Sequence, residues 1–104
     1  MLSLHGMTKQ ETSSLHPYPG NARRGDVDMI AHSLEQHGQY KPIVVNKGTK
    51  APNLANTILA GNHTWEAAKQ LGWETIDVHW VDVDEHQARN IVLIDNKAND
   101  SATY

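Results

Sequence analysis

The chain is predicted to fold as a small mixed α/β domain, an α/β (α+β) arrangement of about three helices on a short mixed sheet. Three observations carry that prediction. Residues 75–81 alternate apolar Ile76, Val78 and Trp80 with polar Asp77 and His79, the period of a half-buried strand. Val27, Ile30, Ala31 and Leu34 recur at helical spacing and make one apolar face. Ile58-Leu59-Ala60 stops at Gly61, three polar residues follow, and a helical pattern begins, as where a strand turns tightly into a helix. In chain order the pattern reads strand, helix, strand, strand, helix, strand, helix.

Each element has its own local cause. Residues 1–10 have weak patterning and are expected to fray. An edge strand is expected over 11–15, halted by His16-Pro17-Tyr18-Pro19-Gly20, whose prolines and glycine impose extended or turn geometry. After a polar loop at 21–25, Asp26 is placed to cap a helix, with Asp28 in its first turn and Gly38 at its end. Lys41-Pro42 opens a β-branched strand at 43–45; a turn-forming stretch follows, and 56–60 returns as a strand able to pair with it. Trp65, Ala68 and Leu71 fall on one side of the next helix, which Gly72 ends. Asp84 with Gln87 three residues on forms a capping box for the last helix. There Ala88, Ile91, Val92 and Asp95 share a face, Leu93 and Ile94 widen the apolar surface, and the helix is expected to reach about Ala98.

Composition narrows the function. A chain of 104 residues fits one domain, expected to be complete, with residues 1–10 and 99–104 at its loose ends. Phenylalanine is absent, so Trp65, Trp73, Trp80 and the aliphatic residues must supply the core bulk. The absence of cysteine excludes disulfides, thiolate metal sites and thiol catalysis, and fits a cytoplasmic location. No signal peptide or membrane span is expected, and the helix over 27–37 has a core face, not a membrane one. A formal net charge of −3 offers no basic face for tracking a nucleic-acid backbone. The histidines lack the His-x-x-x-His spacing of a zinc helix, and no serine lies in a Gly-x-Ser-x-Gly elbow. Asp82, Asp84 and Glu85 are read as strand-end and helix-cap residues.

The chemistry-bearing stretch is Gly61-Asn62-His63-Thr64. A helix N-terminus has backbone N–H groups without partners and the positive end of the dipole. Gly61 permits a sharp turn and close approach of an anion, and Asn62, His63 and Thr64 add side-chain donors. On local chemistry alone, an ordinary helix cap without ligand is the more economical reading. Arg23-Arg24, after a Pro-Gly turn, is either a phosphate clamp or a pair of solvated arginines. Asp95-Asn96, behind an apolar run, is either a Mg²⁺-holding pair or a helix end returning to water.

Together these segments resemble the ParB/sulfiredoxin superfamily, specifically its ParB-like N-terminal domain, over about 15–101. Pro17-Tyr18-Pro19-Gly20-Asn21-Ala22-Arg23-Arg24 is similar to the family's opening loop, and Gly38-Gln39-Tyr40-Lys41-Pro42-Ile43 to its Gly-x-x-x-Pro-Ile strand opening. The stretch from Ile58 to Gly72 resembles the signature turn and helix, and Ala88 to Lys97 resembles the closing helix with its acidic-Asn pair. The resemblance implies a ParB/sulfiredoxin-like fold and one nucleotide pocket, which in ParB members binds CTP with Mg²⁺ and hydrolyses it. Relatives include a free-serine kinase and sulfiredoxin, and some members carry a nuclease label. Carried over, Arg23, Arg24, Gly61, Asn62, His63, Thr64 and Asn96 bind phosphates, Lys41 and Pro42 lie by the base, and Asp95 holds the metal. Asn62 or His63 then orients the attacking group, with Asp95 serving the same chemistry.

Two departures qualify the resemblance. The signature turn usually has Arg where Thr64 stands, so one phosphate clamp is missing, and the lack of cysteine removes sulfiredoxin activity. No helix-turn-helix is recognised, so sequence-specific DNA binding is not expected from this chain. The chain resembles the compact, free-standing ParB-like domains found in mobile elements and beside DNA methylases. Three functions follow: a nucleoside triphosphate-binding domain with Mg²⁺-dependent phosphate chemistry, a metal-dependent nuclease, or a binding module for a host or methylase-associated protein. A homodimer is compatible with each.

Overall fold

The computed structural model describes residues 7–20 and 27–101. The expected cap Asp26 and the arginines Arg23 and Arg24 lie outside the described residues. The elements are β1 (Met7–Glu11), β2 (His16–Pro17), α1 (Val27–His37), β3 (Ile43–Asn46), β4 (Thr57–Ala60), α2 (Asn62–Gln70), β5 (Thr75–Val81) and α3 (Glu85–Ser101). Short 3-10 turns at Thr12–Ser14 and Pro52–Leu54 join some of them.

The strands form one mixed sheet in the order β1-β5-β3-β4-β2. β5 runs antiparallel to β1 and parallel to β3, while β4 is antiparallel to β3 and parallel to β2. Successive strand side chains point to opposite faces, and both faces are covered. Ile43, Val45, Ile58, Ile76 and Val78 pack with Ala31 and Leu34 of α1 and with Trp65, Ala67 and Ala68 of α2. Leu59, with Val44 and Val81, packs instead with Ala88 and Val92 of α3. Burying each of the largest of these contributes roughly 1.5–3 kcal/mol. The expected mixed α/β class and the antiparallel pairing of β3 with β4 are both observed.

The first strand departs from expectation. It covers Met7–Glu11, not 11–15. Thr12 is the reason: it is buried, its N–H donates to the Glu74 carbonyl at 2.9 Å, and its hydroxyl donates to the Trp73 carbonyl at 2.8 Å. The Thr12 carbonyl in turn accepts Trp65 Nε1–H at 2.9 Å, so the chain is turned inward there and cannot continue as a ladder. His16–Pro17 is a two-residue strand at the other edge, where a missing proline N–H costs no ladder bond.

Elsewhere local signals hold. The Asp84 carboxylate accepts Gln87 N–H at 2.8 Å and the Gln87 amide oxygen accepts Asp84 N–H at 3.3 Å, the reciprocal bonds of a capping box. α3 runs to Ser101, slightly beyond the expected Ala98, and Leu93 and Ile94 are exposed, so they do not widen its packed stripe. Asn46 is fully buried and satisfied: Oδ1 accepts Val83 N–H at 2.9 Å, and Nδ2 donates to the Leu54 and Val83 carbonyls at 3.3 Å each. Asp82 ties down the β3–β4 connection through the N–H and hydroxyl of Thr49; that hydroxyl bond, above all, holds its carboxyl below the usual carboxylate range.

Candidate functional site

Gly61 joins β4 to α2 in a left-handed conformation, φ +90° and ψ 24°, which L side chains rarely adopt. Space demands glycine as well, because a Cβ there would lie 2.6 Å from Ile43 Cγ2. The turn thus presses against β3, and α2 starts at Asn62 with no side chain capping it. The Gly61 carbonyl accepts Trp65 N–H at 3.0 Å and begins the helical ladder.

Asp95 reaches this turn from α3, its carboxylate close enough to the backbone N–H of Gly61 for that dipole to favour the charged form. Burial pushes the Asp95 carboxyl above its ordinary 3.8, while the Gly61 N–H and the charges of Lys41 and His63 pull the other way. A carboxylate, a lysine, a histidine and a helix N-terminus therefore meet at one place.

They line a cleft of about 640 Å³ bounded by α1, the start of β3, the β4–α2 turn and α3. Every described residue of the expected site borders it: Lys41, Pro42, Gly61, Asn62, His63, Thr64, Asp95 and Asn96. His63 and Thr64 are half-buried, whereas Asn62 is only 8% exposed and its Oδ1 is buried without a hydrogen-bond partner. Among the described residues no three histidine, aspartate or glutamate side chains cluster as a metal cage. Asp95 is the one carboxylate of the cleft lining among those residues, which fits a Mg²⁺ that shares its coordination with ligand phosphates and water.

Sequence reasoning missed Gln39, Tyr40 and Met29 on the same cleft. The Gln39 amide takes both backbone groups of Asp77, accepting its N–H at 2.7 Å and donating to its carbonyl at 3.0 Å. No local pattern announces such a bond. A smaller hollow of about 450 Å³ lies by Lys9, Trp73 and Asp77, away from the turn, and meets the cleft only at Gln39.

The family model for the ParB N-terminal domain matches residues 6–97. The chain belongs to the ParB N-terminal domain family. This ParB N-terminal domain is similar to the probable chromosome-partitioning protein ParB of Campylobacter jejuni, 30% identical over 93 residues, covering 86% of this chain and 32% of that protein. It is also similar to the nucleoid occlusion protein of Oceanobacillus iheyensis, 28% identical over 74 residues, covering 71% of this chain and 25% of the relative. The chain thus spans about a quarter to a third of the length of these relatives. Its fold matches C-terminally truncated ParB of Caulobacter crescentus, solved in complex with CTP-γ-S, with TM-score 0.72 and 24% identity over 95% of this chain and 55% of that one. Sulfiredoxin of Arabidopsis thaliana matches with TM-score 0.66 and 20% identity over 83% of this chain and 96% of that one, as expected for the ParB/sulfiredoxin-like fold. Among the described residues no helix is long and apolar enough to cross a membrane.

Proposed function

We propose that this ParB N-terminal domain binds a nucleoside triphosphate, CTP foremost, with its phosphates at the β4–α2 turn. The observation that carries the reading is the meeting of Gly61, Lys41, His63 and Asp95 in one cleft. The first backbone N–H groups of α2 and its dipole favour an anion there. Lys41 supplies positive charge to a cleft whose signature turn has Thr64 where the family usually has arginine. Asp95, with Asn96 next to it, is positioned to hold Mg²⁺ against phosphate oxygens, and the ion offsets phosphate charge when bound. CTP is favoured because the Caulobacter crescentus neighbour of the same fold was solved with CTP-γ-S. Hydrolysis or phosphoryl transfer at this site would rely on His63 or Asn62 to orient a water or hydroxyl. A net charge of −3 argues against a nuclease that grips a polyanion through this domain.

Calorimetric titration with CTP, ATP and GTP, each with and without Mg²⁺, tests the proposal. Binding strengthened by Mg²⁺ is expected, weakened several-fold or more by Lys41→Ala and by Asp95→Ala. If none of the three nucleotides binds at millimolar concentration, the proposal fails.

A further inference from the structure

Tyr40 is 81% exposed and Met29 66% exposed, yet both line the cleft. Large apolar surface left in water at the mouth of a cleft marks a place that a ligand covers. Tyr40 is also firmly mounted. On one side the Gln39 amide grips Asp77 through two bonds and donates a third to the Lys41 carbonyl at 3.1 Å. On the other side Pro42 restricts the backbone two residues on. Gln39 thereby acts as an extra rung on β5 just before β3 begins, and the Tyr40 ring is carried on a pinned rim.

We infer that Tyr40 is the platform on which the base of the bound nucleotide stacks, with Gln39 as the positioning residue that holds it there. The inference rests on the nucleotide reading above. The occupant follows from the two ends of the cleft. The cleft lining includes Met29 and Ile30 of α1 as well as Tyr40, whereas around Asp95 it offers the backbone N–H groups that open α2, with Lys41 and His63 nearby. A flat heterocycle joined to a polyanion matches both ends at once. A protein surface or a second copy of the chain would cover the apolar end and leave the cationic end without its anion. Stacking uses the face of a base and not its edge, so Tyr40 supports every base alike and leaves base choice to other groups.

Wild type, Tyr40→Ala, Tyr40→Trp and Gln39→Ala are to be titrated with CTP, ATP and inorganic tripolyphosphate. Loss of one stacking partner is expected to weaken CTP and ATP by about 10-fold or more, with tripolyphosphate affinity unchanged. Tyr40→Trp should keep CTP affinity and show indole fluorescence quenching that wild type lacks. Gln39→Ala should follow Tyr40→Ala in direction and also spare tripolyphosphate; equal losses for all three ligands would make Gln39 merely structural. Unchanged CTP affinity in Tyr40→Ala overturns the inference, as does a wild-type dimer that Tyr40→Ala dissociates without altering CTP binding. If wild type binds tripolyphosphate but no nucleotide, the base platform fails and the anion site stands; if it binds neither, the nucleotide reading itself has failed.

Discussion

Replacing Gly61 by alanine places a methyl group where the β4–α2 turn crosses β3. Two costs arise. The left-handed backbone at φ +90° strains any L residue by roughly 1–2 kcal/mol. The new Cβ would also lie 2.6 Å from Ile43 Cγ2 and 3.0 Å from Ile43 Cβ. Ile43 is only 2% exposed, so it cannot swing into solvent, and overpacking of this kind costs about 1–3 kcal/mol. The total, about 2–5 kcal/mol, is a large share of the 5–15 kcal/mol typical of a domain. Gly72→Ala is the internal control: its φ is +80°, yet nothing lies within 4 Å of its added Cβ, so only the backbone cost applies. Urea unfolding followed by circular dichroism gives both values. Gly61→Ala should be the more destabilising by at least about 1 kcal/mol, and the excess should shrink in an Ile43→Ala background. Equal costs at the two glycines would refute the claim that contact with β3 is what demands glycine at 61. Since the fold itself suffers, lost nucleotide binding in a Gly61 variant says little about phosphates, and Lys41 and Asp95 are the cleaner probes.

Two further outcomes are expected. Asn46→Ala strips partners from the Val83 N–H and from the Leu54 and Val83 carbonyls, and should cost about 3 kcal/mol in the same urea experiment; a loss below about 1 kcal/mol would mean that water replaces the amide. Asp95 binds its proton more tightly in the folded chain, since burial raises its pKa above 3.8. Its contribution to stability therefore falls as pH rises through 3.8 towards the folded value and stays low above it. Asp95→Asn should unfold at or above the wild-type temperature at neutral pH, with a flatter profile on the acid side and weaker Mg²⁺-dependent CTP binding. A lower melting temperature at neutral pH would show that the charged carboxylate stabilises the turn.

Local spacing made much of the fold legible. The alternation of Ile76, Val78 and Trp80 located β5, and the strand-Gly61-helix transition located the start of α2. Asp84 and Gln87 announced a cap whose two bonds are present. β1 was misplaced because its side chains carry little apolar pattern; its ladder to β5 defines it, and that ladder depends on a strand far along the chain. Gln39 was invisible for a related reason, since its partner is the backbone of Asp77 and not a neighbour in sequence.

By itself the sequence determined the kinds of element, their order and the glycine bend before α2, because periodicity and backbone conformation answer to residues a few places apart. Tertiary structure alone decided the sheet order, the approach of Asp95 to the Gly61 turn and the gathering of Lys41, Tyr40 and His63 around one cleft. Those meetings depend on how strands pair and which face each helix buries, and that is settled only when distant segments exclude water from one another.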